Sequence, residues 1–133
     1  MIVVDTNVIA YLYLPTQFTE QAEKLLEQEP VWTAPALWRS EFRNVLALYL
    51  RKQLIDFEKA LQLHTEAESL MQDNEYEIGS FDVLRLVRDS RCSAYDCEFV
   101  ALATSLRTNL ITIDRSILRE FPSTASSLTA FLA

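Results

Sequence analysis

The chain has 133 residues, of which half are hydrophobic and 23% are charged, and this length and composition are typical of one globular domain with its own core. Its formal net charge of −7 argues against tight, nonspecific binding of nucleic acid, which normally requires a basic surface, but does not exclude an enzyme that acts on nucleic acid. No apolar run approaches the length of about 18 residues that a membrane span needs, and no basic segment precedes the apolar N-terminus, so we expect neither a membrane span nor a secretory signal.

Short apolar segments alternate with longer amphipathic segments along the chain. In chain order, the predicted elements are a strand at residues 2–4, a helix at 7–14, a helix at 19–26 capped by Thr19, a strand at 31–33 that ends before Pro35, helices at 37–52 and 56–71, a strand at 76–78, a helix at 80–88, a helix from the Ser93 cap to about residue 106, a strand at 110–113, a helix at 115–121 and a strand within 127–131. This alternation predicts an α/β fold in which helices cover both faces of a central, mainly parallel sheet of four to five strands. In such sheets, ligands bind beyond the carboxyl ends of the strands.

The scarcity of three residue types excludes several kinds of site. Cys92 and Cys97 are the only cysteines and His64 is the only histidine, so a zinc site built from Cys and His is not expected. The single glycine, Gly79, excludes the Gly-rich loops that bind phosphate groups. Two free thiols suit a reducing compartment, and we therefore expect a cytoplasmic protein.

Two aspartates stand directly after predicted strands. Asp5 follows the apolar start of "MIVVDTN", and Asp114 ends "LITID" before another helix. Because the carboxyl ends of parallel strands meet at one edge of a sheet, both residues are expected at the edge where ligands bind. An aspartate between a strand and a helix is also a good N-cap, so capping alone could explain either residue.

Glu41 lies on the apolar face of the predicted helix 37–52. Trp38 and Val45 are three and four positions away from it and share its side of the helix. A carboxylate that faces a core is unfavourable unless it is paired or binds a metal. The alternative is a glutamate at the edge of the apolar stripe that reaches solvent.

Asp96, in "SAYDCEFVALA", is also on an apolar face, since Phe99 and Val100 follow at the spacing of one helical turn. The alternative is a capping box, with Ser93 at the N-cap and Asp96 three positions later. Glu98 points about 200° away from Asp96 on the same helix and is expected in solvent.

The four carboxylates are more informative together than singly, because two lie at strand ends and two on inward helix faces. If they converge, they repel one another, and their pKa values rise unless cations intervene. Mg²⁺ and Mn²⁺ prefer such oxygen ligands, and a bound ion can polarise a phosphoryl oxygen and activate a water molecule. The pattern therefore predicts a divalent-metal site formed by Asp5, Glu41, Asp96 and Asp114.

The order and spacing of four motifs resemble those of the PIN-domain ribonucleases, and among them the VapC toxins of toxin–antitoxin pairs. The matching segments are "VVDTNVI", "LWRSEFRNVL", "SAYDCEFVALA" and "LITIDRSIL", which together cover nearly the whole chain. The resemblance implies a single PIN domain over residues 1–133, folded as a three-layer α/β/α sandwich. It also implies hydrolysis of RNA that depends on Mg²⁺ or Mn²⁺, a cognate antitoxin and a homodimer.

By motif position, the resemblance identifies Asp5, Glu41, Asp96 and Asp114 as the catalytic and metal-binding acids. Thr6 or Asn7, and Thr112, fall where the family has supporting hydroxyl or amide groups. The RNA target varies within the family and does not follow from the resemblance.

A net-negative enzyme needs local positive charge to hold RNA. Arg115 is the preferred candidate, because it follows Asp114 and opens the next helix at the same edge. Arg91 precedes the Asp96 helix, whereas Arg39 and Arg43 point away from Glu41. Each of these arginines could instead be an ordinary solvated charge.

Three other classes of protein are alternatives to this interpretation. A haloacid dehalogenase-like phosphatase would need a second aspartate where this chain has Asn7. A receiver-type signalling domain would need an acidic pair, a central phosphoacceptor and a later lysine, and this pattern is absent from the sequence. A catalytically silent PIN-like module that binds RNA or protein stays open as the main alternative.

Overall fold

A five-stranded sheet, in which all neighbouring strands are parallel, forms the centre of the computed structural model, which describes residues 1–133. In chain order, the strands are β1 (Ile2–Val4), β2 (Trp32–Pro35), β3 (Glu75–Tyr76), β4 (Leu110–Thr112) and β5 (Ala125–Ser127). Their spatial order is β3-β2-β1-β4-β5. The prediction of a parallel sheet with four to five strands is therefore confirmed.

Eight helices flank the sheet and give the α/β/α arrangement. They are α1 (Thr6–Tyr13), α2 (Thr19–Gln28), α3 (Trp38–Arg51), α4 (Phe57–Met71), α5 (Ser80–Arg88), α6 (Ala94–Leu106), α7 (Arg115–Glu120) and α8 (Leu128–Leu132). The helices cover the β-branched residues of β1 so completely that Val3 and Val4 have no exposed surface, as expected for a central strand of a parallel sheet. No helix combines the length and the apolar character that crossing a bilayer would require.

The register of the two central strands places their carboxyl ends side by side. Val4 of β1 is opposite Ile111 of β4, so Asp5 and Thr112 are the next residues along each strand. Asp5 is the N-cap of α1, and Asp114 is the N-cap of α7. The strand ends and the following helix starts therefore bring both aspartates to one edge of the sheet.

The C-terminal segment differs from its prediction. A strand was expected within residues 127–131, but the strand ends at Ser127 and residues Leu128–Leu132 form α8. Ser127 begins this helix because its hydroxyl accepts a hydrogen bond of 3.1 Å from the backbone N–H of Ala130. The apolar pattern of residues 128–132 also fits a strand, but the serine cap favours a short helix.

Two predicted boundaries are also wrong. Thr19 is not the cap of α2, because Phe18 occupies that position and the Thr19 hydroxyl instead bonds the N–H of Thr16 and the carbonyl of Leu14. Pro35 does not interrupt β2 but forms its last residue. Neither difference alters the elements that carry the four acids.

Candidate active site

An open cleft of about 560 Å³ lies at the carboxyl edge of the sheet. The walls of the cleft come from the first turns of α1 and α6, the first two turns of α3 and the start of α7. All four carboxylates singled out in the sequence line it, namely Asp5, Glu41, Asp96 and Asp114. Residues 109 positions apart in the chain, 5 and 114, thus share one cavity.

Asp5 is the most deeply placed of the four acids, with 9% of its surface exposed. Its Oδ1 accepts a 2.7 Å hydrogen bond from the backbone N–H of Thr6, and its Oδ2 accepts a 2.6 Å bond from the hydroxyl of Thr112. Burial raises the pKa of Asp5 to about 6, and the charges of Glu41 and Asp96 add to this effect, while the two hydrogen bonds oppose it. The residue is an N-cap by position, but its carboxylate also faces the cleft.

Glu41 is held in the cleft by the neighbouring helix. The hydroxyl of Thr6, in the first turn of α1, donates a 2.7 Å hydrogen bond to its Oε1. Burial raises the pKa of Glu41, with further contributions from the charges of Asp96 and Glu98, although the bond from Thr6 lowers it. Its Oε2 accepts no hydrogen bond within the chain and is available for a ligand.

Asp96 lies on the first turn of α6 and is half-buried. Burial raises its pKa, and so does the charge of Asp114, while the side chain and backbone of Ser93 lower it. Ser93 is the N-cap of α6 and accepts a 3.1 Å hydrogen bond from the backbone N–H of Asp96. The capping interaction considered in the sequence is therefore present, and it coexists with a position in the cleft.

Asp114 is the second acid at a strand end, and like Asp5 it both caps a helix and lines the cleft. Its Oδ1 caps α7 by accepting a 3.0 Å hydrogen bond from the N–H of Ile117. Its own N–H donates a 3.0 Å bond to the hydroxyl of Thr112, the same hydroxyl that bonds Asp5. Its Oδ2 accepts no hydrogen bond within the chain and can serve a ligand in the cleft.

The chemistry of this donor set suits Mg²⁺ or Mn²⁺, because every candidate ligand is a carboxylate oxygen. Burial is the main cause that raises the pKa of Asp5, Glu41 and Asp96, and the charges of neighbouring acids raise each pKa further. The arrangement is open, since no three His, Cys, Asp or Glu side chains lie close enough together to hold an ion directly. Mg²⁺ keeps several of its waters in proteins, and a hydrated ion fits such an open set.

The supporting residues named from the sequence also lie here. Thr6 and Thr112 are buried and donate to Glu41 and Asp5, as described, and Asn7 lines the cleft with an exposed side chain. Several other lining residues were not predicted as part of the site, and these are Leu37, Ser40, Asn44, Val45 and Tyr95. Their positions, next to Glu41, one turn from Glu41 or next to Asp96, are the only signal that could have identified them.

Glu98 was expected in solvent, and this expectation needs correction. The residue is half-buried, and burial raises its pKa. Its charge also raises the pKa of Glu41, although Glu98 does not line the cleft. The helical angle between Asp96 and Glu98 indicates the direction of the second side chain but not its burial in the folded chain.

The arginines considered for RNA binding all lie outside the lining of the cleft. Arg39 points away from Glu41, as expected, and forms a two-point ion pair with Glu75 at 2.6 and 2.8 Å. Glu75 also accepts a 2.6 Å bond from the indole N–H of Trp38, so this ion pair ties α3 to β3. Arg115 is exposed at the first position of α7, immediately after Asp114.

Comparison with known proteins identifies the family of this chain. The family model for the PIN domain matches residues 2–122. Ribonuclease VapC3 of Pyrobaculum aerophilum is 32% identical over 134 aligned positions, which cover 91% of this chain and 95% of that protein.

Two solved structures share the fold. The crystal structure of PAE2754 from Pyrobaculum aerophilum superposes with a TM-score of 0.76 and 21% identity, covering 98% of this chain and 92% of that one. A toxin–antitoxin complex from Klebsiella pneumoniae contains a chain with a TM-score of 0.71 and 16% identity, covering 96% of this chain and 98% of that one. At these identities, the two structures support the fold alone. The match over residues 2–122 and the 32% identity to Ribonuclease VapC3 show that this chain belongs to the PIN-domain family.

Proposed function

We propose that this chain is an endoribonuclease that hydrolyses RNA phosphodiester bonds with the help of Mg²⁺ or Mn²⁺, and that it is the toxin of a type II toxin–antitoxin pair. The observation that carries the proposal is the convergence of Asp5, Glu41, Asp96 and Asp114 on one cleft at the carboxyl edge of the sheet. The 32% identity to Ribonuclease VapC3 supports the assignment of RNA as the substrate. In this proposal, residues 1–133 act as a single PIN domain.

The four carboxylates would hold the divalent cation. When bound, such a cation polarises a phosphoryl oxygen and lowers the pKa of a coordinated water molecule toward neutral pH. The free oxygens Oε2 of Glu41 and Oδ2 of Asp114 are suited to this binding, because no protein donor competes for them. No cysteine, histidine or lysine nucleophile lines the cleft, and the proposed reaction requires none.

Three hydrogen bonds prepare the acids for this task. The hydroxyl of Thr6 donates a hydrogen bond to Glu41, and the hydroxyl of Thr112 donates one to Asp5. The Thr112 hydroxyl also accepts a hydrogen bond from the backbone N–H of Asp114. These donors are neutral, so they orient the carboxylates and stabilise their ionised forms without cancelling the charge that would attract a cation. Thr6 and Thr112 are therefore proposed as positioning residues.

Two partners belong to the proposal. A cognate antitoxin is supported by the similarity to a chain of a toxin–antitoxin complex, and a homodimer follows from the resemblance of the sequence motifs. Exposed apolar side chains, including Phe57, Phe81 and Leu84, offer surface for such contacts. Light scattering of the purified chain, alone and with the co-expressed antitoxin, will measure both associations; a monomer at all concentrations would contradict the homodimer.

The test of the proposed function is RNA hydrolysis by the purified chain with Mg²⁺ or Mn²⁺, and with EDTA. We expect cleavage only with the cation, and we expect Asp5→Asn and Glu41→Gln to lower the rate by at least about 100-fold. Glu98→Gln is the matched control, because it removes a nearby half-buried charge that does not line the cleft, and it should keep most of the activity.

The same assay decides between the proposed function and the silent binding module. RNA binding without hydrolysis under all these conditions would favour the silent module. Hydrolysis that survives EDTA, or that is equally reduced by Glu98→Gln and Glu41→Gln, would contradict a carboxylate-held cation as its source.

A further inference from the structure

The helix that carries Glu41 begins without a side-chain cap. Asp5, Ser93 and Asp114 each accept a hydrogen bond from a backbone N–H of the helix that follows, which fixes the starts of α1, α6 and α7. Leu37 occupies the same position before α3, and its side chain forms no such bond. The first turn of α3, which contains Glu41, therefore depends on other contacts.

Glu75 supplies these contacts from the neighbouring edge strand. Its Oε1 accepts hydrogen bonds of 2.6 Å from the indole N–H of Trp38 and from Nε of Arg39, and its Oε2 accepts a 2.8 Å bond from Nη2 of the same guanidinium. The bonds from Arg39 lower the pKa of Glu75, although burial opposes this effect. Because Trp38 and Arg39 are the first two residues of α3, one ionised carboxylate binds both side chains with which the helix begins.

The sheet determines where this carboxylate stands. Glu75 is the first residue of β3 and is opposite Ala34 of β2. The backbone N–H of Ala36 then donates a 2.9 Å hydrogen bond to the carbonyl of Tyr76, so the pairing with β3 continues to the residue before Leu37. The position of Glu75 relative to the start of α3 is thus fixed by backbone hydrogen bonds.

The anchored end of α3 is tightly packed and close to Glu41. Trp38 has no exposed surface, and its ring stacks on that of His64 with 5.5 Å between the centroids. Glu41 follows Trp38 by three positions, which is less than one turn of helix. Within the chain, its carboxylate accepts a hydrogen bond only from Thr6. A displacement or rotation of the first turn would therefore move the Glu41 carboxylate relative to the other acids.

We propose that Glu75 is a positioning residue for the cation site, because by holding the first turn of α3 it places the carboxylate of Glu41 in the cleft. Glu75 does not line the cleft and acts only through α3. This inference rests on the proposed function, because it adds a residue to the same site. It gives the ion pair between Arg39 and Glu75 a role in cation binding as well as in the stability of the fold.

The first measurement is Mn²⁺ affinity, read from the electron paramagnetic resonance signal of the free ion. Glu75→Gln keeps the size of the side chain but replaces one acceptor oxygen by an NH₂ group, so the two-point pair with Arg39 is lost. We expect Mn²⁺ to bind about tenfold more weakly. Arg39→Lys keeps the charge but not the planar fork, and it should weaken binding in the same direction.

Asp56→Ala is the matched control, because it also removes one negative charge and one stabilising contact. The Oδ1 of Asp56 caps α4 by accepting a 2.8 Å hydrogen bond from the backbone N–H of Lys59. Asp56 is exposed and follows the far end of α3 from Glu41, so Mn²⁺ affinity should stay close to that of wild type. The thermal unfolding midpoint of each variant verifies that it is folded. A loss of affinity in Asp56→Ala as large as that in Glu75→Gln would overturn the proposal.

A double-mutant cycle shows whether Glu75 acts through Glu41. In a Glu41→Gln background, Glu75→Gln should have little further effect on Mn²⁺ affinity, because the carboxylate that it positions is already absent. In an Asp114→Asn background, it should keep its full effect. Equal losses in the two backgrounds, or unchanged affinity in the Glu75→Gln single variant, would overturn the positioning role.

The two levels of the proposal fail in different ways. If wild-type protein binds Mn²⁺ and cleaves RNA but Glu75→Gln equals it in both, the positioning role is wrong and the proposed function survives. If wild-type protein neither binds Mn²⁺ nor cleaves RNA, both are overturned.

Discussion

The hydroxyl of Thr112 donates a 2.6 Å hydrogen bond to Oδ2 of Asp5, joining residues that are 107 positions apart in the sequence. The same hydroxyl accepts a 3.0 Å hydrogen bond from the backbone N–H of Asp114. One side chain at the end of β4 therefore connects both strand-end acids. Their relative position depends on the parallel pairing of β1 with β4, which aligns the two strand ends.

Removing this hydroxyl should impair catalysis more than folding. Thr112→Val keeps the shape of the side chain but leaves the N–H of Asp114 without its acceptor and Asp5 without its donor. We expect RNA cleavage to fall by roughly 10- to 100-fold, the usual effect of losing a group that orients a metal ligand. Thr112→Ser retains the hydroxyl and should recover most of the activity. A Thr112→Val enzyme as active as wild type would contradict the positioning role.

Neutralising one acid should not unfold the protein. Asp96→Asn removes charge from a cluster in which Asp114 already raises the pKa of Asp96, and it keeps the backbone N–H that bonds Ser93. In metal-free buffer, we expect an unfolding midpoint equal to or slightly above that of wild type, whereas activity collapses. Ser93→Ala is the comparison, since loss of this N-cap should cost about 1 kcal/mol. Strong destabilisation by Asp96→Asn would show that capping is its main role.

The buried Asp5 predicts a pH dependence of stability in EDTA. Its folded pKa of about 6 is above the unfolded value, so the folded state binds the proton more tightly. This contribution is fully present below the unfolded pKa of about 4 and is lost as pH rises through about 6. Its size is on the order of 3 kcal/mol, from about 1.4 kcal/mol for each unit between a pKa of about 4 and one of about 6. Glu41 and Asp96 act in the same direction, while the lowered pKa of Glu75 acts in the opposite one.

Denaturant unfolding of wild type and Asp5→Asn between these pH values measures the effect. The Asp5→Asn protein should lose less stability as pH rises, because the titrating group is gone. Parallel pH profiles for the two proteins would contradict the assigned shift of Asp5.

Arg115 remains the preferred candidate for a phosphate contact outside the cleft. In an Asp5→Asn background, Arg115→Ala should weaken RNA binding and reduce its salt dependence, because one fewer phosphate is neutralised. Mn²⁺ binding by Arg115→Ala in the otherwise wild-type chain should be unchanged. Arg51→Ala provides the control, since Arg51 is exposed at the far end of α3 from Glu41. Equal effects of the two arginine variants would identify Arg115 as ordinary surface charge.

The position of Asp5 and Asp114 at one edge of the sheet could be predicted because each signal for it is local in the sequence. An apolar β-branched segment followed at once by Asp5 is enough to expect a strand end, and the repetition at Asp114 places both at one edge. The helical spacing around Glu41 and Asp96 indicated which way they face. The class of fold and the convergence of the four acids on one cleft could therefore be inferred before any coordinates were known.

Other features depend on contacts between distant segments and could not be inferred. The double role of Thr112 requires the register of β1 and β4, and the partial burial of Glu98 depends on how the chain packs around α6. Tyr95 gives no special signal in the sequence, since an aromatic residue in a helix usually packs in the core. The strand expected near the C-terminus was wrong because Ser127 starts a short helix there.

Direct measurement of cation binding tests the central claim, because the four acids share a cleft although no three of them form a closed set of ligands. The decrease of the electron paramagnetic resonance signal of free Mn²⁺, titrated with RNA-free protein, reports the bound fraction. The account predicts saturable binding by wild type and by Glu98→Gln, with at least about tenfold weaker binding by Asp5→Asn and by Glu41→Gln. Absence of binding by wild type, or equal affinity in all four proteins, would contradict it.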